Sequence, residues 1–212
     1  MWPLCLFALV VVSSSTSPDA VLDELGSEGT AILAGAKIEG VFVRQCSCTE
    51  QTQCQEEMKI QADECTHPCF SHFNAVTDRP QELRECFDSK IAIVDAFINC
   101  FASRVDSCVP HSNGPMIQKT NIADIFHLGE KKLNQKPSAT ALLAPIKHYL
   151  DAAGEFANCV KNCFLKKNSN GFCFDRKGCQ PQITDSKALT SLKTCTRRLQ
   201  WKRQAGEICD CS

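Results

Sequence analysis

The chain of 212 residues lacks most of the short motifs through which catalytic chemistry shows itself. No G-x-S-x-G, H-E-x-x-H, P-loop or G-x-G-x-x-G run occurs, which removes the nucleophile elbow, the zincin helix and the phosphate- and dinucleotide-binding turns. No two cysteines are spaced C-x-x-C, so a thioredoxin-type redox pair and a zinc knuckle are both missing, and the histidines lack zinc-ligand spacing. No N-x-[ST] sequon is present, and no apolar run reaches the roughly 18–20 residues that cross a bilayer. These absences predict a protein that is not an enzyme and holds neither cofactor nor metal. No nucleic acid is expected as a partner.

What the chain has in abundance is cysteine, with 16 copies. It opens MWPLCLFALVVVSSSTSPDA, where Leu4 to Val12 has the length of a signal-peptide h-region and small residues follow. Residues 1–16 are therefore read as a cleaved signal peptide, although a basic n-region is missing. Cleavage removes Cys5 and leaves an odd number of cysteines. At this density in the secretory pathway they are expected as disulfides. The chain is also long enough to bury a core, so the bridges are expected to add to packing and not to replace it.

Hydrophobic rhythm predicts an all-α fold. Residues 17–45 are rich in Gly and Ala and read as a weakly structured lead-in. A helix is predicted over 51–75, with Met58, Ile60, Ala62, Cys65 and Cys69 inward. Pro80 opens the next helix, where Leu83, Cys86, Phe87, Ile91, Val94, Phe97, Ile98 and Phe101 keep a 3.6-residue period to about 105. The segment 109–115, VPHSNGP, is a turn. A short helix is predicted within NIADIFHLGEKKL, a longer one over 145–166, and a last one over 186–204 that buries Leu189, Leu192, Cys195 and Leu199. Cys65-x3-Cys69-Phe70 recurs as Cys159-x3-Cys163-Phe164. The spacing from Cys86 to Cys100 likewise recurs from Cys195 to Cys209. The echo suggests two tandem disulfide-braced antiparallel helical hairpins in one compact unit. The first would cover 46–108 and the second, with a C-x-C tail, 139–212, joined by a linker over 109–138 that holds the short helix.

In an antiparallel hairpin, residues at one level have position numbers with a nearly constant sum. Cys69 with Cys86, Cys54 with Cys100, and Cys46 or Cys48 with Cys108 share one centre near residues 77–78, just before Pro80. This register predicts those three bridges. In the second half, Cys163 is paired with Cys195, and Cys173 with Cys179 closes the loop between them. A pseudo-twofold packing of the hairpins would join Cys65 to Cys159. The remaining Cys46 or Cys48 would clasp Cys209 or Cys211, and the last tail thiol would link two chains as a disulfide-bonded homodimer.

Net charge is −1, yet it is unevenly laid out. Residues 17–108 carry 16 acidic and 7 basic side chains, whereas residues 109–212 carry 8 acidic and 16 basic. Either the halves attract each other within one molecule, or the basic half offers a surface to a polyanion. The most suggestive surface is LKTCTRRLQWKRQ, where Lys193, Arg197, Arg198, Lys202 and Arg203 surround Trp201. A sulfated or carboxylated glycan, or an anionic lipid head group, would suit it.

His67, inside CTHPC, bears a loose likeness to the histidine of secreted phospholipases A2. That family's paired cysteines before the histidine are missing, and Pro68 stands where its aspartate would be. The run from Cys46 to Cys108, with DECTHPCFSHF, LRECF and FINCF, resembles the chondroitin proteoglycan 4-like domain of nematode secreted proteins. The resemblance, taken over 46–211, implies a cysteine-rich, mostly helical extracellular module without enzymatic activity. No Ser-Gly dipeptide, the usual acceptor of a chondroitin chain, occurs here. The expected function is a secreted binding or structural role in the matrix, with an unknown extracellular partner. The alternative is a carrier of a small apolar ligand or lipid in a helical cavity. Insect odorant carriers also use C-x3-C, but their later spacings do not match.

Overall fold

The computed structural model describes residues 18–135 and 147–199. The signal peptide expected over 1–16 and the tail cysteines Cys209 and Cys211 lie outside the described residues, and so do Trp201, Lys202 and Arg203. In chain order the elements are α1 (Pro18–Gly35), β1 (Lys37–Gln45), α2 (Cys48–Cys69), a 3-10 helix (Phe70–Ala75), α3 (Pro80–Ala102), β2 (Met116–Thr120), α4 (Ile122–Gln135), α5 (Lys147–Lys167), α6 (Cys173–Lys177), β3 (Cys179–Gln180) and α7 (Asp185–Arg198). No described helix is long and apolar enough to cross a membrane.

The fold is mostly helical but not purely so. A three-stranded sheet in the order β2-β1-β3 corrects the all-α expectation. β1 runs antiparallel to β2, with Val43 opposite Ile117, and parallel to the two-residue β3. KIEGVFVRQ has the β-branched and aromatic content that suits a pleated surface. The weakly structured lead-in expected over 17–45 is instead α1 followed by β1. Gly114 follows the turn residues Ser112 and Asn113, and a Cβ there would collide with the Gln45 carbonyl. Only glycine lets the incoming chain reach β1 so closely.

Around Gln45–Cys48 several segments are tied into one junction. Gln45 N–H donates to Pro115 O at 2.7 Å, Cys46 N–H to Gln180 O at 3.0 Å, and Cys48 N–H to Val109 O at 2.9 Å. Gln45 Nε2 donates to Ser107 O at 3.1 Å and Ser107 Oγ to Gln51 Oε1 at 3.0 Å. These buried polar groups satisfy one another, as burial requires. Ser47 then caps α2 in a capping box with Glu50, which gives the helix a defined start.

α2 continues from this junction antiparallel to α5, and cystines fill the contact. Cys46 is bonded to Cys179, Cys54 to Cys173, Cys65 to Cys163, and Cys69 to Cys159. Two more bridges join Cys48 to Cys108 and Cys100 to Cys195. The six side chains that are largest among the fully buried are Cys46, Cys54, Cys65, Cys69, Cys179 and Cys195. Phe164, Phe172 and Phe174 pack beside them. The centre of the molecule is thus largely cystine, which corrects the expectation that bridges only add to an ordinary core.

The pairing corrects most of the expected register. Cys48–Cys108 is one of the two options expected for Cys108. The pairings Cys69–Cys86, Cys54–Cys100, Cys163–Cys195, Cys173–Cys179 and Cys65–Cys159 do not form. Cys86 is also disulfide-bonded. The physical reason lies in the C-x3-C spacing. Residues i and i+4 lie on one stripe of a helix, so Cys65 and Cys69, both buried, meet the same partner helix. Their partners Cys163 and Cys159 are likewise one turn apart on α5. The constant-sum rule holds, but for a different pair of segments. The four bridges of this ladder have nearly one centre, within residues 112–114. Of these six bridges, all but Cys48–Cys108 therefore run between the two proposed hairpins.

Candidate functional site

The charge asymmetry is met in large part inside the molecule. Beside the cystine ladder, α2 presents Gln53, Glu57, Gln61 and Glu64, spaced three or four residues apart and so on one stripe. Arg176 makes a two-pronged contact with Glu57 at 2.5 and 2.7 Å. Lys167 reaches Glu64 at 2.7 Å, Lys177 reaches Gln53 at 3.0 Å, and Asn168 Nδ2 donates to Gln61 Oε1 at 2.7 Å. These contacts run antiparallel, as the bridges do. Lys187 pairs with Asp106 at 2.7 Å, and Lys193 pairs with Asp23 of α1. In each of these four ion pairs an acidic residue of the first half meets a basic residue of the second. Such half-exposed pairs each contribute little to stability, but together they favour this register over alternatives.

A second electrostatic junction lies at Arg44. Its guanidinium donates to Glu50 Oε1 at 2.6 Å and Oε2 at 2.8 Å, to Ser112 O at 3.1 Å and to Lys177 O at 3.0 Å. One side chain thereby links β1, the start of α2, the 109–115 turn and the end of α6. The Arg44 hydrogen bonds, followed by those from Ser47, hold the Glu50 carboxyl down at about 2. The Glu50 hydrogen bond raises the Arg44 pKa in return.

The basic residues singled out on the last helix sit as follows. Lys193 is engaged by Asp23, whereas Arg197 and Arg198 are exposed in the last turn of α7. Cys195 is fully buried in its bridge to Cys100 of α3, and Leu192 and Leu199 are half-buried. The expected inward stripe is therefore in place. On its other side α7 lies against α1, where a Cβ at Gly26 would collide with Leu189.

An open cleft of about 440 Å³ lies along α7, lined by Arg104, Lys187, Thr190, Ser191 and Thr194. Arg104 follows the end of α3, four residues after Cys100, so the Cys100–Cys195 bridge brings the two walls together. Asp106, at the rim, has a positive φ of 46°, a conformation that aspartate tolerates better than most residues. None of these cleft residues was among the candidates from the sequence. The signal that could have found them is the spacing of Lys187, Ser191, Thr194 and Arg198, which repeats one helix face.

The histidines take part in surface contacts. His67 Nε2 lies 3.1 Å from Arg84 Nη1, and His72 Nδ1 lies 3.2 Å from Glu155 Oε2. Since a guanidinium can only donate, His67 accepts in this contact. Four phenylalanines, Phe70, Phe73, Phe87 and Phe156, gather at this end with ring centroids 5.0 to 6.4 Å apart. They secure the turn between α2 and α3 against α5. No family model, no curated protein and no solved structure matches this chain.

Proposed function

We propose that this protein is a secreted, non-enzymatic, cysteine-rich module with a binding or structural role outside the cell. The observation that carries the reading is the cystine centre. Bridges that join residues 90 to 133 positions apart put Cys46, Cys54, Cys65, Cys69, Cys173, Cys179 and Cys195 among the buried side chains. A fold that uses so many bridges in place of apolar side chains needs an oxidising compartment to form. The likeness of Cys46–Cys108 to the chondroitin proteoglycan 4-like domain adds the same expectation.

An anionic glycan is the partner class favoured here, because Arg198 is exposed in the last turn of α7 and enters no ion pair among the described residues. A carrier of a small apolar ligand has less support, since cystines and phenylalanines occupy the space between α2, α5 and α6. The test is native mass spectrometry of secreted protein, followed by chromatography on immobilised heparin. An empty protein that needs salt to elute supports the reading; a co-purified lipid points to the carrier. The same spectrum reports whether the chain forms the disulfide-linked homodimer expected from its odd cysteine.

A further inference from the structure

The cleft beside α7 and the arginines at its end belong to one face of one helix. At 100° per residue, Lys187, Ser191, Thr194 and Arg198 fall within about 60° of one another around the axis. Lys187 and Arg198 are eleven residues apart, which is close to three whole turns and roughly 16 Å along the helix. Cations therefore stand at both ends of a stripe whose middle carries hydroxyls. Arg104 adds a third cation from the opposite wall.

The state of these groups differs from that of the cations engaged along α1 and α2. Among the described residues, nothing forms an ion pair or a hydrogen bond with the Arg104 guanidinium. Lys187 has only its exposed pair with Asp106. Ser191 is 4 % exposed, yet it lines the cleft. Arg176, Lys167 and Lys193 are by contrast all occupied by carboxylates. A stripe with guanidinium groups at intervals and hydroxyls between them matches a linear chain that alternates anionic groups with sugar hydroxyls. Among the described residues, the side chains that line the cleft all carry a polar group and none is aromatic.

We propose that Arg104, Lys187, Thr190, Ser191, Thr194 and Arg198 form a track for a linear sulfated or carboxylated polysaccharide. The chain lies along α7, with one anionic group at Arg104 and Lys187 and another at Arg198. Sugar hydroxyls exchange hydrogen bonds with the threonine and serine hydroxyls between. The track rests on the proposed extracellular binding role and specifies its ligand class. Both halves of the protein contribute to it, and the Cys100–Cys195 bridge sets its width.

The test uses the full secreted protein and a size-defined sulfated oligosaccharide long enough to span three helical turns, with affinity measured at several salt concentrations. Arg104→Gln and Arg198→Gln are each expected to weaken binding about fivefold and to lower the salt slope by about one. Lys132→Gln, an exposed charge on α4, removes the same charge and should change affinity less than twofold. Thr194→Val should weaken the oligosaccharide without changing the salt slope. Equal effects of Arg104→Gln and Lys132→Gln would overturn the track. If replacing Arg197, Lys202 and Arg203 then abolishes binding, the polyanion reading survives at another place. Wild-type protein that ignores the oligosaccharide would overturn both. Preferential binding to single-stranded RNA or to anionic vesicles, with the same dependence on Arg104, would overturn the ligand class.

Discussion

α2 and α3 are nearly equal in length, at 22 and 23 residues, and they were built by opposite means. α3 carries the regular apolar rhythm by which helices are usually recognised, and α2 carries few apolar side chains. Yet α2 is the buried one. Gln51, Cys54, Cys65 and Cys69 of α2 are buried, whereas among the described side chains of α3 only Leu83 is. Phe87 of α3 is 38 % exposed. The difference teaches that the centre of this molecule is chosen by covalent bonds. A cystine has little area to withdraw from water, but it restricts the unfolded chain strongly when its ends are far apart. Apolar rhythm is a weaker guide here because burial follows cysteine position.

The comparison can be broken most directly at the ladder. Replacing Cys65, Cys69, Cys159 and Cys163 together by serine removes both rungs between α2 and α5. The expected loss is about 5 kcal/mol or more, seen as failure to secrete folded protein. Cys100→Ser with Cys195→Ser removes the described bridge between α3 and α7 and should cost less, about 2–4 kcal/mol. Peptide mapping of that variant should still find Cys65 joined to Cys163 and Cys69 to Cys159. If the second variant is as damaged as the first, judged by its denaturant midpoint, α2 has no privileged place.

The junction at the start of α2 gives a sharper, smaller effect. The Glu50 carboxyl is depressed in the folded state to about 2, against about 4.3 in an unfolded chain. Its contribution is therefore complete above pH about 4.3 and disappears as pH falls towards 2. Glu50→Gln should cost about 1–2 kcal/mol at neutral pH. It should also flatten the fall in stability between those two pH values. An unchanged acid limb in urea titrations at successive pH values would remove Glu50 from this role. The smallest effect is expected on the outer face of α2, where Ile60 is 54 % exposed. Ile60→Gln should change stability by less than about 0.5 kcal/mol, and a larger loss in the same titration would show that α2 depends on apolar packing after all.

The helices themselves were largely legible. The rhythm of α3, the later part of α5 and the inward stripe of α7 at Leu192, Cys195 and Leu199 follow from residue order alone, because a helix face is a local property. The sheet was not legible. β1 is only half-covered and β3 is two residues long, so neither leaves a strong alternating signal, and β2 finds its partner across some seventy residues of chain. The cleft escaped because Arg104 and α7 meet only in the tertiary structure, across some eighty residues of chain, through the Cys100–Cys195 bridge and the Lys187–Asp106 pair.

From the sequence alone came the density of cysteines and the fact that Cys65 with Cys69, and Cys159 with Cys163, each share a helix face. The spacing of an antiparallel ladder was readable too, but not which segments it joined. Several pairs of segments satisfy one sum rule, since the rule knows the direction of the chain and nothing of distance. The tertiary structure decided among them. It paired α2 with α5 and α6, brought the VPHSNGP turn against β1 where Gly114 lets the backbone approach, and set the acidic stripe of α2 opposite the basic ends of α5 and α6.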